Sequence, residues 1–275
     1  MNGIWLYDVI LLIYALALLC FGADFLRRNG KAKRTGTGLV VLVWLLQTAF
    51  FFFRMAQTRY FPLMTWFETM FFFSWAVVTL TIVMHMLFRQ EIVYILMNML
   101  GFVLALAALF GDPSAAKVGG TRDLTHQLLV FHMTSGIASY AVFSVSALFS
   151  GIYLFLHGKL KGKQWSANLR RLPSLERTDT FAFRTAAAGS VLMLASMLLG
   201  LAWVLAEGNP ALLRDPKTLS SLFMLGAYSS YLLLRLTMQT TSRRLAVWNL
   251  ASCGIIAVHL AVSWLVSDYP DLAWR

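Results

Sequence analysis

The chain has 275 residues, of which 59% are hydrophobic and only 13% charged, with a mean hydropathy of +0.69. Soluble domains carry roughly 45–50% apolar and about 25% charged residues, so this composition excludes an ordinary soluble domain and specifies an integral membrane protein. The net charge of +11 does not point to nucleic acid, because the bases fall in short segments between apolar runs, where membrane topology explains them.

A transmembrane helix needs about 20 mainly apolar residues. About eight runs qualify: Ile4–Leu26, Gly38–Met55, Thr65–Phe88, Ile92–Phe110, His126–His157, Thr180–Ala206, Thr218–Met238 and Leu245–Ser267. The first is too long for a signal-peptide core and has no basic region before it, so it is expected to be a mature helix. The expected fold is an all-α, polytopic membrane helix bundle, forming a single transmembrane domain over residues 1–275. Cys20 and Cys253 each lie inside an apolar run, which predicts buried thiols rather than a disulfide framework or a zinc site.

Lys and Arg set the orientation. Arg27, Arg28, Lys31, Lys33 and Arg34 follow the first run, and Lys159, Lys161, Lys163, Arg170, Arg171 and Arg177 follow the fifth. Arg243 and Arg244 follow the seventh, while Asp112, Asp123, Glu207 and Asp215 lie on the opposite side. Basic segments face the cytoplasm, so both termini are expected outside. Trp5, Tyr7, Tyr60, Trp66, Trp264, Tyr269 and Trp274 then fall at the outer boundary, where amphipathic rings are favoured. The longest inner segment, Gly158–Asp179, contains Trp165 and Leu169 among its bases. It is expected to lie on anionic lipid as an amphipathic helix, or to dock a soluble partner.

Polar groups inside the apolar runs are the candidates for function, because an unpaired polar group in hydrocarbon costs several kcal/mol, roughly. Arg54 and Glu68 flank one outer loop; they form an ion pair there, or line a pocket that meets an anionic group such as a propionate. His132 lies about 9 Å along the helix from His126, at 1.5 Å per residue. Ser139, seven residues on, shares its face, and Ser135, Gly136, Ser146 and Ser150 form a small-residue seam that lets helices approach closely. His259 is expected at a depth similar to His132, so the two could bind haem iron axially or each could hydrogen-bond a neighbouring helix. His85 and His157 lie near cytoplasmic ends and read as structural. No nucleotide-binding motif, Ser/His/Asp arrangement or metalloprotease spacing occurs, and Gly119-Gly120 reads as a turn; the sequence makes no strong case for an enzyme.

The segment His132-Met-Thr-Ser-Gly-Ile-Ala-Ser139-Tyr140-Ala resembles the outer-histidine helix of the cytochrome c assembly, or haem-handling, membrane family, which includes CcsA, CcmC and CcmF. Within it the chain looks most like the HemX-type branch. Tyr14-Ala-Leu-Ala, Asp24-Phe-Leu, Val43-Trp44-Leu-Leu-Gln47-Thr, Arg54-Met, Phe61-Pro62, Leu100-Gly101-Phe102 and Trp248-Asn249 carry the resemblance along nearly the whole chain.

There are departures. Family members that attach or deliver haem carry a tryptophan-rich outer loop ending Trp-Asp-Pro-Lys-Glu. The corresponding stretch, Trp203 to Thr218, keeps Asp215-Pro216-Lys217 but not the aromatic residues before it. Leu233 stands where relatives have a ligand histidine, the second outer histidine would fall near Val266, and His259 falls where relatives carry asparagine. The resemblance therefore implies non-covalent haem b, with His132 and His259 as iron ligands and Ser139, Arg54, Glu68 and Trp203 around the cofactor. It implies no covalent attachment of haem to cytochrome c. The implied role is regulation of haem biosynthesis by lowering the level of glutamyl-tRNA reductase, acting on that enzyme or on an associated cytoplasmic or membrane protein. Outward haem transport for cytochrome assembly and a haem-free scaffold are the competing expectations.

Overall fold

The computed structural model describes residues 4–27, 29–88, 91–111, 124–163, 172–237 and 240–265. Every regular element among them is helical. The helices are α1 (Ile4–Arg27), α2 (Gly30–Thr58), α3 (Trp66–Phe88), α4 (Glu91–Ala108), α5 (Leu124–Lys161), α6 (Leu175–Glu207), α7 (Pro216–Thr237) and α8 (Ser242–Leu265). Among the described residues, seven helices are long and apolar enough to cross a membrane, and Ile92–Ala108 is a shorter apolar helix. The polytopic all-α bundle expected from composition is thus observed. Arg28, Asp112, Gly119, Gly120, Asp123, Trp165, Leu169, Arg170, Arg171, Val266, Tyr269 and Trp274 lie outside the described residues.

The chain divides into two compact units, residues 1–120 and 121–275. In the first unit, α1 packs on α2 and α4, and α3 packs on α2 and α4. Its core is aromatic: Tyr7 lies edge-on to Phe67 at 4.9 Å between ring centroids, and Phe50 meets Phe71 at 5.0 Å. The Tyr7 hydroxyl donates to the Ala105 carbonyl, so its polar tip is satisfied inside the bundle. A reciprocal latch joins α2 to α3. Trp44 Nε1 donates to Thr79 Oγ1 at 2.9 Å, and Trp75 Nε1 donates to Thr48 Oγ1 at 2.9 Å. Each threonine hydroxyl in turn donates to the carbonyl of the tryptophan one turn before it on its own helix. All four polar side chains are thereby satisfied without water.

The sequence placed the start of the second span at Gly38, with Lys31, Lys33 and Arg34 in a loop. Instead α2 begins at Gly30, because Asn29 caps it, its side chain accepting from Lys31 N and Ala32 N. The basic residues sit on an additional helical stretch, where hydropathy has no power to report helix.

In the second unit, α5 packs along α6 and against α8, and α7 packs on α6 and α8. α5 has 38 residues, about 57 Å at 1.5 Å per residue, so it exceeds a hydrocarbon layer of about 30 Å. Of the small-residue seam read from the sequence, Gly136, Ser146 and Ser150 lie on its buried face and Ser135 is half-buried. Ser146 Oγ donates to the Ala182 carbonyl of α6 at 2.6 Å, and Asn249 Nδ2 of α8 donates to Ser146 Oγ at 2.7 Å and Ser150 Oγ at 2.8 Å. Phe143 stacks on Tyr228 at 3.6 Å, which ties α5 to α7. Arg235 pairs with Asp179 and lies over the Phe183 ring, joining the end of α7 to the start of α6.

Between α6 and α7 the chain turns on three capping residues, Gly208, Asn209 and Asp215. Gly208 adopts the left-handed conformation (φ 71°) and returns its N–H to the Val204 carbonyl. Asn209 caps a 3-10 turn over Pro210–Arg214, which hydropathy does not reveal. Asp215 Oδ1 accepts from Lys217 N at 2.8 Å and Pro216 takes the first helical position of α7.

Candidate functional site

The start of α5, the end of α6, the start of α7 and the end of α8 meet at one end of the second unit, and both candidate ligand histidines lie there. His132 projects from α5 onto α6. Its Nδ1 lies 2.7 Å from the Ser196 carbonyl, which can only accept, so Nδ1 carries the proton. Ser196 Oγ donates back to the His132 carbonyl at 2.8 Å and lies 3.1 Å from Nδ1. Both the backbone and the ring of His132 are therefore fixed by one serine. Nε2 is left with its lone pair, and no hydrogen bond to it occurs among the described residues.

Gly200, one turn beyond Ser196, makes room for the ring. A Cβ there would lie 2.7 Å from His132 Nδ1 and 2.8 Å from Cε1. Both atoms belong to a ring already fixed in place, so a side chain could enter only by displacing the imidazole. Trp203 continues the same face of α6 and is buried.

His259 is held differently. Nε2 lies 2.9 Å from the Tyr140 hydroxyl of α5, and Nδ1 lies 2.8 Å from Ser220 Oγ and 3.4 Å from Ser221 Oγ of α7. Ser220 donates its hydroxyl proton to the Lys217 carbonyl at 3.0 Å, so it accepts from His259 Nδ1–H. Nε2 then accepts from Tyr140. Both nitrogens of this 2%-exposed ring are engaged, and an iron could reach Nε2 only by displacing Tyr140. Tyr140 of α5 and Ser220 and Ser221 of α7 thus hold His259, whereas α6 holds His132.

Ser139 is fully buried; its hydroxyl donates to the Gly136 carbonyl at 2.6 Å and meets Met193 Sδ of α6 at 3.4 Å, so it lines the α5–α6 contact.

Arg54 and Glu68 belong to the first unit. Arg54 Nε and Glu68 Oε1 form an ion pair at 3.2 Å, with Glu68 almost wholly buried. Glu68 Oε1 also accepts from the Tyr60 hydroxyl at 3.0 Å, and Oε2 accepts from Met64 N at 3.0 Å and Thr65 N at 3.2 Å. Glu68 N donates to Thr65 Oγ1 at 3.2 Å. This is a capping box on Thr65-Trp-Phe-Glu68 at the start of α3, a Thr-x-x-Glu pattern that the sequence displays and the hydropathy reading passed over. His85 faces the Tyr94 ring at 4.4 Å, and His157 lies near Tyr153 at 6.0 Å. Among the described residues no group of three or more His, Cys, Asp or Glu is arranged to hold a metal ion.

A helical bundle crossing the membrane many times, with one imidazole held by a backbone carbonyl of a neighbouring helix, defines a class of multi-pass membrane protein. Residues 63–267 match the Cytochrome C assembly protein family, and the chain belongs to that family. It is 37% identical to Protein HemX of Brevibacillus brevis over 267 residues, covering 97% of each chain, and 32% identical to Protein HemX of Bacillus subtilis (strain 168) over 259 residues, covering 94% of each. It is also similar to the cytochrome c biogenesis protein CcsA of Gloeobacter violaceus, at 25% identity over 319 residues, with 96% of this chain and 93% of the other covered. The chain is a multi-pass protein of a bacterial cytoplasmic membrane.

Proposed function

We propose that the protein binds haem b non-covalently through His132 Nε2 and regulates haem biosynthesis as a negative effector of glutamyl-tRNA reductase level. The observation that carries the reading is the tautomer of His132. A metal-ligating histidine characteristically gives its other N–H to a carbonyl or carboxylate, which orients the ring and raises its basicity, and Ser196 supplies that carbonyl. The donor chemistry therefore fits one axial imidazole. Bound haem would supply a redox-active iron and two carboxylates. Ser196 and Gly200 orient the ring, Trp203 contributes a buried apolar wall, and His259 acts through hydrogen bonds rather than as a second ligand.

The near-full-length similarity to two HemX proteins supports a regulator over an enzyme that attaches haem. The stretch between α6 and α7 keeps Asp215-Pro216-Lys217 without a preceding aromatic cluster, which supports the same choice. The similarity to CcsA favours a second reading, a haem transporter or chaperone for cytochrome c assembly. Deleting the gene separates the two. Regulation predicts raised glutamyl-tRNA reductase with normal c-type cytochromes, restored by the wild-type gene but not by His132→Ala. Loss of c-type cytochromes with unchanged reductase would establish the transport reading instead.

A further inference from the structure

Trp248-Asn249, one of the stretches that carry the family resemblance, belongs neither to the histidine site nor to a helix cap. Trp248 Nε1 donates to the Ala227 carbonyl at 3.0 Å, so this turn of α8 lies against the turn of α7 that carries Tyr228. Asn249 reaches α5. Its Nδ2 donates to Ser146 Oγ at 2.7 Å, to Ser150 Oγ at 2.8 Å and more weakly to the Ser146 carbonyl at 3.4 Å. The amide cannot be turned over. The one hydroxyl proton of Ser146 goes to the Ala182 carbonyl, so both oxygens of Ser146 can only accept from Asn249. Nδ2 is thereby fixed on α5 and Oδ1 lies on the other branch of the amide. Asn249 is fully buried, and among the described residues its Oδ1 has no hydrogen-bond partner.

Tyr228 is the second such residue. Its ring stacks on Phe143 at 3.6 Å and 11°. Phe143 is in turn packed against Gly189 of α6, where a Cβ would lie 2.6 Å from the ring. The phenol is held by this stack and fully buried, and its hydroxyl also has no partner among the described residues. Phe143 and Ser146 are one turn apart on α5, so Tyr228 and Asn249 meet the same stretch of α5 from adjoining turns of α7 and α8. A hydroxyl that can donate and an amide oxygen that can only accept are complementary to one water between them.

We propose that α5, α7 and α8 bind one internal water, which accepts from the Tyr228 hydroxyl and donates to Asn249 Oδ1. The water completes a polar crosslink of the three helices, Ser146–Asn249–water–Tyr228, and gives Trp248-Asn249 a role separate from the histidines. The inference is independent of the haem reading.

The test joins a density map that resolves ordered water with melting experiments on the detergent-purified full chain. The wild-type map should show one water about 2.7–3.2 Å from both atoms. Removing a hydroxyl that has a partner is destabilising, whereas removing one buried without a partner is neutral or stabilising. Tyr228→Phe should lower the thermal midpoint by roughly 2–4 °C, and this loss should largely vanish in an Asn249→Ala background. A midpoint unchanged or raised in Tyr228→Phe, or an equal loss in both backgrounds, would overturn the pairing. So would a map in which the two side chains touch directly or no water lies between them. The map and the single variant decide the question even if Asn249→Ala does not fold.

Discussion

The Tyr140 hydroxyl and His259 Nε2 are joined across α5 and α8 at 2.9 Å, and this bond decides what His259 does. An imidazole whose two nitrogens both serve helix–helix contacts is a crosslink. It holds α7 in register through Ser220, and its removal is felt as stability before it is felt as chemistry. Replacing His259 with alanine removes the Nε2 acceptor of the buried Tyr140 hydroxyl and the Nδ1 link to Ser220, at a cost of about 1–3 kcal/mol. His259→Ala should lower the thermal midpoint in detergent yet retain a Soret band in haem-loaded protein. A haem-free His259→Ala that melts like the wild type would reverse the assignment and make His259 a ligand.

Gly200 sets a sharper condition. The His132 ring occupies the volume that a Cβ would take, at 2.7 Å. Gly200→Ala is otherwise favourable in a helix by about 1 kcal/mol, so its effect on folding and on the site should differ in sign or size. The expected result is a folded protein with a lost or shifted Soret band. Unchanged haem spectra in Gly200→Ala would mean that the ring position seen against α6 is not the one that matters.

Ser196 tests the same arrangement from the other direction. Ser196→Ala keeps the carbonyl that takes the Nδ1 proton but removes the hydroxyl that grips the His132 backbone. Haem affinity should fall by no more than about tenfold, against loss in Gly200→Ala, because the tautomer is preserved. A complete loss in Ser196→Ala would shift the orienting role from the carbonyl to the hydroxyl.

Glu68 and Arg54 are predicted to matter for the first unit and not for haem. Glu68 accepts from a side-chain cation, a phenol and two backbone N–H groups. Removing one partner of a buried ion pair typically costs about 3–5 kcal/mol. Glu68→Ala should therefore be strongly destabilising, and Arg54→Ala, Glu68→Ala and the double variant should show coupling in melting experiments. If Arg54→Gln instead weakened haem binding at constant stability, the ligand-contact role expected from the sequence would be restored.

Hydropathy found the eight α-helices among the described residues because a bilayer demands long apolar runs, whatever their partners. It misplaced ends where helix continues into polar residues: Asn29 starts α2 among lysines, and α5 continues to Lys161. The capping box at Thr65 and Glu68 was readable from spacing alone, but attention to charge in an apolar setting turned Glu68 into a ligand candidate. His132 stood out because an imidazole in an apolar run needs a reason. Its partner did not, since Ser196 is 64 residues away and contributes mainly a backbone carbonyl, which every residue possesses.

The most direct measurement is the absorption spectrum of wild-type and His132→Ala protein, purified in detergent from haem-replete cells and matched for folding by circular dichroism. The expected result is a Soret band in the wild type that is absent or displaced in His132→Ala. A wild-type band that persists unchanged in His132→Ala, at equal haem content, would contradict it.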